Sequence, residues 1–404
     1  MKTPHITSLR ASFPMLTQRL YDDRPLIYLD HAATSQKPQC VIDAVSNFYA
    51  SHYGTPHRSA HHAGRKAVQH MAQVRSQVQH FIGAKEACEV IFTSSTTAGL
   101  NMVVNSYRQQ LDPGEEVIIS PLAHHACRLP WQHLCKERGA TLTILPLTAE
   151  GTVSPELLQN HISDKTKIVA LTHASNVLGS INPVAKLTEI AHDHGAVAVV
   201  DAAQSLGHLP IDVEALGCDF LIFSAHKMYG PTGIGILYGQ REKLEQLLPT
   251  QLGGGMVEEV TKEAMRYAPL PYRLEAGTPH MAGIAGLGAA ITFLAQLPMQ
   301  ELMDYEAKLH DYMCTELRRI PRVQLLPLAA ERLGVTSFTL EGAHLLDIAM
   351  QLDAEGIALR AGDHCARPLM DYLKIPGTLR ASLGLYNNAQ DIDALVGALR
   401  KLVG

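Results

Sequence analysis

Phe220-Leu-Ile-Phe-Ser-Ala-His-Lys-Met-Tyr-Gly-Pro-Thr-Gly-Ile-Gly-Ile-Leu-Tyr238 is the stretch whose reading decides the fold. Phe220–Phe223 is a continuous apolar run, as expected of a strand buried on both faces. Ser224, His226 and Lys227 stand at its carboxyl end. Gly230-Pro-Thr-Gly233 carries turn chemistry, and Gly235–Tyr238 reads as the next strand. A lysine placed among apolar residues loses charge, because burial penalises the ammonium form, and a neutral lysine can form a Schiff base.

The same texture extends on both sides. Candidate strands are Glu89–Thr93, Glu116–Ser120, Thr141–Leu145, Lys167–Thr172 and Ala196–Val200. Helical patterns intervene at Thr97–Gln109, Trp131–Arg138 and Val184–His194. Such alternation implies an α/β fold with a mostly parallel sheet and helices on both faces. Beyond residue 290 the pattern changes to a long helix (Met299–Arg319), strands near Val323–Leu326 and Gly334–Leu340, a helix near His344–Glu355, a strand at Ile357–Arg360 and a closing helix from Ala389. This predicts a smaller α+β domain over 291–404 after a large domain over 26–290. Residues 1–25 are expected to pack on the small domain.

Composition narrows the function classes. The 404 residues are 46% hydrophobic and 18% charged, with net charge −5. That excludes a small module or a disordered chain, and no basic field advertises nucleic acid or an anionic membrane. The first residues show no apolar signal region. The uncharged stretch between Glu275 and Glu301 is interrupted by Pro279, His280, Gln296 and Pro298, and reads as a buried helix at about 282–297. Seven cysteines without a CxxC pair suit a reduced, cytoplasmic protein.

The strand ends are polar. They deliver Ser94-Ser-Thr-Thr97, His124-His125, Thr172-His-Ala-Ser-Asn176, Asp201-Ala-Ala-Gln204 and Ser224-Ala-His-Lys227. In open α/β sheets the ligand lies beyond these ends. Ser95, Thr96 and Thr97 open a helix whose free N–H groups suit a phosphate, although a plain N-cap would read the same way. No Walker A or GxGxxG motif assigns that phosphate to a nucleotide. A carboxylate such as Asp201 facing a pyridine nitrogen keeps the ring protonated. Phosphate cradle, ring-facing Asp201 and Schiff-base Lys227 together specify pyridoxal 5′-phosphate, with His124 placed to stack on the ring.

With those residues in view, the chain resembles the fold type I, class V pyridoxal-phosphate enzymes, specifically the group II cysteine desulfurases of the SufS/CsdA type. The likeness runs over about residues 8–402. It is carried by Tyr28-Leu-Asp-His-Ala-Ala-Thr-Ser-Gln-Lys-Pro38, His124-His-Ala126, Ser175-Asn-Val-Leu-Gly179, Asp201-Ala-Ala-Gln204, Ser224–Gly235, Glu275-Ala-Gly-Thr-Pro279, Arg360-Ala-Gly-Asp-His-Cys-Ala366 and Arg380-Ala-Ser382. The resemblance implies that Lys227 tethers the cofactor. Asp201 would pair with its ring nitrogen and Gln204 with its hydroxyl, and His124 would stack on the ring and handle protons. Thr96 or Thr97, Ser224 and His226 would hold the phosphate, and Thr278 would reach the phosphate of the neighbouring subunit of a homodimer. Asn176 and Arg380, with Arg360, would bind the substrate carboxylate. Cys365 would be the nucleophile that takes sulfur from L-cysteine, leaving alanine and a persulfide. An acceptor protein of SufE-like or SufU-like type would then collect the sulfur for Fe–S cluster or other sulfur-cofactor assembly.

Some positions depart from the family pattern. Ala123 stands where glutamate is usual, Cys127 where asparagine is, and Ser94–Ala98 replaces Arg-Gly-Thr-Thr-Glu. Asp363 occupies a frequent histidine position, and a carboxylate there would oppose thiolate formation. These departures leave room for a selenocysteine lyase, or another C–S lyase, an epimerase or an aminotransferase of the class. A non-catalytic scaffold is the third reading, opposed by the presence of Lys227, Asp201, His124, Arg380 and Cys365 together. His57, His61 and His62 include an i,i+4 pair. No cysteine or carboxylate completes a set, and no metal site is expected.

Overall fold

The computed structural model describes residues 9–56 and 60–403. Seven strands form the central sheet: β1 (Val90–Thr93), β2 (Glu116–Ile119), β3 (Thr141–Ile144), β4 (Thr166–Thr172), β5 (Val197–Asp201), β6 (Phe220–Ser224) and β7 (Gly235–Gly239). Their order is β1-β7-β6-β5-β4-β2-β3. β7 is antiparallel to both neighbours, and the other pairings are parallel.

The strands read as unbroken apolar runs because both faces are dry. Ile91, Ile119, Ala170, Val199, Ile222 and Leu237 join one core cluster. Their alternate neighbours Phe92, Ile118, Val169, Val200, Phe223 and Ile236 join another. Helices α2 (Thr96–Ser106) and α3 (His125–Arg138) supply Leu100, Val103, Trp131 and Leu134 to the first. Helices α1 (His62–Ile82), α4 (Val184–Asp193) and α5 (Met281–Ala295) supply Val74, Val78, Leu187, Ile284 and Leu287 to the second. The stretch expected as a buried helix is α5, and eleven of its fifteen residues are buried. No single helix among the described residues is long and apolar enough to cross a membrane.

A second, antiparallel sheet contains β8 (Val323–Leu325), β9 (Val335–Leu340), β10 (Arg360–Gly362) and β11 (Thr378–Ser382), in the order β8-β9-β11-β10. Helices α6 (Met299–Arg318), α7 (Leu345–Ala354) and α8 (Ala389–Val403) pack around it. The single strand expected at Ile357–Arg360 is two. Ile357–Ala358 pairs in parallel with Ile27–Tyr28, whereas Arg360–Gly362 pairs with β11. The chain changes partners at Leu359, which a linear apolar pattern does not register. β11 is absent from the expected strands because Thr378, Arg380 and Ser382 make it read as polar, yet all five of its residues are buried.

The N-terminal segment bridges both parts. Phe13 is wholly buried against Phe293 of α5 and Tyr386, with ring centroids 5.9 and 5.0 Å away. Arg10 pairs with Asp391 of α8 at 3.0 Å.

Candidate active site

A cavity of about 340 Å³ opens at the carboxyl ends of β4, β5 and β6, beside the start of α2. Lys227, Asp201, Gln204, Thr96, Thr97, Ser224, His226, His124, Asn176, Arg360, Arg380 and Cys365 all line it. Thr278 does not. It is exposed and lines a separate cavity with Ser94, Asn101 and His280.

Lys227 ends the 3₁₀ turn Ala225–Lys227 that follows β6. The preceding peptide is held hard. The His226 carbonyl accepts from the Ser35 N–H (2.9 Å), Ser35 Oγ (2.9 Å), Thr34 Oγ1 (3.1 Å) and Lys37 Nζ (2.9 Å). Burial pushes the Lys227 amine down to about 8, with Asp201 opposing the fall. At neutral pH a useful fraction is therefore the unprotonated nucleophile.

Asp201 is the last residue of β5, one residue beyond the strand end expected from sequence. It is buried, and its carboxylate accepts only the Ala203 N–H (3.0 Å) among the described residues. Burial raises its pKa, and the Lys227 charge counteracts part of that rise. Gln204 is fixed by donating Nε2 to the Ala32 carbonyl at 2.8 Å.

Ser95 is the N-cap of α2 and its Oγ accepts the Ala98 N–H at 3.2 Å. Ser224 Oγ accepts the Thr96 N–H at 2.7 Å and meets Thr96 Oγ1 at 2.6 Å. Hydroxyls and first-turn N–H groups thus converge where an anion is favoured.

His124 is the N-cap of α3, and its Nδ1 accepts the Ala126 N–H at 3.1 Å. The helix was expected to start at Trp131, but it starts at His125 and carries Pro130 inside. Proline reads as a helix start, yet here packing of Cys127 and Trp131 in the core extends the helix back past it. Burial lowers His124 to about 4, so the ring is neutral at pH 7.

Arg380 projects from the middle of β11 and is 2% exposed. Its Nη2 donates to Asp30 Oδ1 (3.0 Å) and its Nη1 to the Asn176 carbonyl (3.0 Å). Nε has no partner among the described residues. Arg360, from the mouth, closes on the same Asp30 at 2.8 Å. Asp30 sits in the Tyr28–Pro38 stretch, where nothing local marks it, because its partners Arg360 and Arg380 are distant in sequence. Asn176 Nδ2 donates to the His364 carbonyl at 2.8 Å. Cys365 is exposed at the cavity rim.

His61 is the N-cap of α1, with Nδ1 accepting the Gly64 N–H. His57 lies outside the described residues. Among the described residues no group of three or more His, Cys, Asp or Glu is placed to hold a metal ion.

The family described as "Aminotransferase class-V" matches residues 27–395. The chain belongs to this class-V family. A relative, "Probable cysteine desulfurase" of Halalkalibacterium halodurans, is 46% identical over 394 residues, 97% of each chain. Among solved structures, the cysteine desulfurase CsdA of Escherichia coli aligns with TM-score 0.91 and 37% identity over 99% of this chain and 98% of that one. The apo cysteine desulfurase of Thermococcus onnurineus NA1 aligns with TM-score 0.94 and 34% identity over 100% and 98%.

The class-V site fits pyridoxal 5′-phosphate on its own chemistry. A buried carboxylate with one hydrogen bond, Asp201, suits a protonated ring nitrogen. The Ser95–Thr97 helix start with Ser224 suits a phosphate, and Lys227 supplies the amine.

Proposed function

We propose that the protein is a pyridoxal-phosphate-dependent cysteine desulfurase that converts L-cysteine to L-alanine and carries the released sulfur on Cys365. The observation that carries this reading is one cavity shared by an amine for the cofactor (Lys227), a guanidinium for a carboxylate (Arg380) and an exposed thiol (Cys365).

The geometry supports a role for each residue. The bound cofactor supplies an electron sink for the bond-breaking at the substrate α-carbon. Arg380, already oriented by Asp30 and Asn176, presents its guanidinium to the substrate carboxylate. Lys227 Nζ holds the α-proton after removing it. Neutral His124, its Nδ1 taken by the Ala126 N–H, carries its proton on Nε2 and lines the cavity as a proton donor. The Cys365 thiolate attacks the substrate sulfur. An S–S bond forms as the substrate C–S bond breaks, leaving a persulfide on Cys365, and protonation of the three-carbon fragment yields alanine. Asp201 and Gln204 would hold the cofactor ring, and Thr96, Thr97, Ser224 and His226 its phosphate.

Cys365 stands at the rim, where a sulfur-acceptor protein of SufE-like or SufU-like type collects the sulfur for Fe–S cluster or other sulfur-cofactor assembly. The chain acts as a homodimer in which exposed Thr278 serves the neighbouring subunit's phosphate, a role supported by its lining a cavity other than the one that holds Lys227. Seven free thiols support a reducing, cytoplasmic setting.

A second reading, selenocysteine lyase, is favoured by the altered phosphate loop at Ser94–Ala98. Anaerobic incubation with L-cysteine decides the matter. Equimolar alanine and a mass gain of one sulfur on the Cys365 peptide are expected. Alanine without that gain overturns the role of Cys365, and a wild-type holoenzyme that cleaves L-selenocysteine but not L-cysteine moves the assignment to the lyase.

A further inference from the structure

Cys365 occupies a backbone conformation that L-residues seldom adopt. φ is 55° at Cys365 and also 55° at His364. Left-handed geometry crowds Cβ against the following carbonyl, and outside glycine it is usually confined to single residues, with Asn and Asp the tolerant types. A turn of two such residues persists only where its surroundings over-determine it.

The surroundings here can be named. On the carbonyl side, Asn176 Nδ2 donates to His364 O and the His125 N–H donates to Cys365 O, both at 2.8 Å. The His364 ring is tied to Thr378 Oγ1 at 2.8 Å. The amide side is served from within the loop by one residue. Asp363 Oδ1 accepts the Cys365 N–H at 3.1 Å, and the Asp363 carbonyl accepts the Ala366 N–H at 2.9 Å. This is the side-chain-to-backbone bond two residues on that Asp and Asn form in turns.

We infer that Asp363 is a positioning residue for the nucleophile: its side-chain oxygen pins the Cys365 amide and so holds the thiol at the cavity rim in a left-handed turn. A carboxylate two residues before a thiol reads from sequence as an opposing charge. The geometry gives it a separate task that needs an oxygen acceptor and no charge. Asparagine would perform it and alanine would not. The consequence for rate rests on the desulfurase reading, whereas the consequence for the amide does not.

The test compares Asp363→Asn and Asp363→Ala in the pyridoxal-phosphate holoenzyme. Three quantities are read: hydrogen exchange of the Cys365 amide, α-proton exchange of L-alanine with solvent, and sulfur loading of Cys365 from L-cysteine. In Asp363→Ala, amide exchange should accelerate and sulfur loading should fall, each roughly fivefold, as expected for loss of one ordinary intramolecular hydrogen bond. Exchange of the alanine α-proton should stay at the wild-type rate, because Lys227 is untouched. Asp363→Asn should match wild type in amide exchange and in α-proton exchange, and sulfur loading should fall less than threefold. Wild-type amide exchange in Asp363→Ala overturns the proposal. So does an Asp363→Asn variant that behaves like Asp363→Ala, which would make charge the operative property, or an equal fall in α-proton exchange. If the wild-type holoenzyme loads no sulfur, the desulfurase reading fails, and the amide measurement still decides the role of Asp363.

Discussion

The backbone N–H of His125 donates to the Cys365 carbonyl at 2.8 Å. That bond joins the first turn of α3, capped by His124, to the turn that carries the thiol. The helix start bearing His124 and the turn bearing Cys365 are therefore registered to each other through backbone. Arg367 N–H, also donating to the His125 ring at 3.3 Å, reinforces the joint.

Replacing the thiol should separate two half-reactions. In Cys365→Ser, sulfur release from L-cysteine should fall by more than about 100-fold, since a hydroxyl cannot form the S–S bond. The visible absorption of the lysine-bound cofactor should be unchanged, because Lys227 and its clamp are intact. Absorbance spectra and alanine release check both.

Cofactor attachment should depend on pH with a defined sign. Burial lowers Lys227 from 10.5 to about 8. Below that value the amine is mostly protonated, so attachment to the apoenzyme should quicken about tenfold per pH unit and level off above about 8. Asp201 raises the Lys227 value. Asp201→Asn should therefore move the midpoint to lower pH, whatever it does to the plateau. Stopped-flow absorbance across pH reads the midpoint.

Gly207 tests the Lys227 clamp without touching a cavity side chain. A Cβ there would stand 2.9 Å from the Lys227 carbonyl oxygen and 3.3 Å from Met228 Cα. Both are backbone, which yields poorly, so Gly207→Ala should cost about 1–3 kcal/mol and weaken cofactor attachment. Thermal unfolding and the bound-cofactor ratio measure the two effects.

Arg75 and Glu275 form a buried two-pronged pair at 2.7 and 2.8 Å, and the Phe92 N–H also donates to Glu275 at 2.7 Å. Arg75→Met should destabilise the fold by about 3–5 kcal/mol, because an uncompensated carboxylate stays buried. Glu275→Gln should cost less, since the amide oxygen keeps the Phe92 bond. Urea unfolding midpoints of the two variants give the order.

Much of the sheet was legible from local pattern. Phe220–Phe223 and Gly235–Tyr238 lack alternation because helices cover both faces, and they became β6 and β7 with one residue added at the carboxyl end of each. Strand ends were readable too, since Ser224–Lys227 and Asp201–Gln204 change abruptly from apolar to polar. The start of α3 was not readable, because Pro130 mimics a helix start and only core packing carries the helix back to His125. β11 was hidden by Arg380, whose charge makes sense only beside Asp30.

Residue order by itself determined the α/β architecture, the polar strand ends and the candidate pairing of Lys227 with Asp201, because burial and strand termination leave their marks within a few residues. Only the tertiary structure decided that Asp30 would orient both Arg360 and Arg380, 330 and 350 positions away, and that Asn176 and His125 would hold the turn bearing Cys365. A hydrogen bond needs its partners within about 3 Å. Nothing in the spacing of such distant residues says which of them the fold will bring that close.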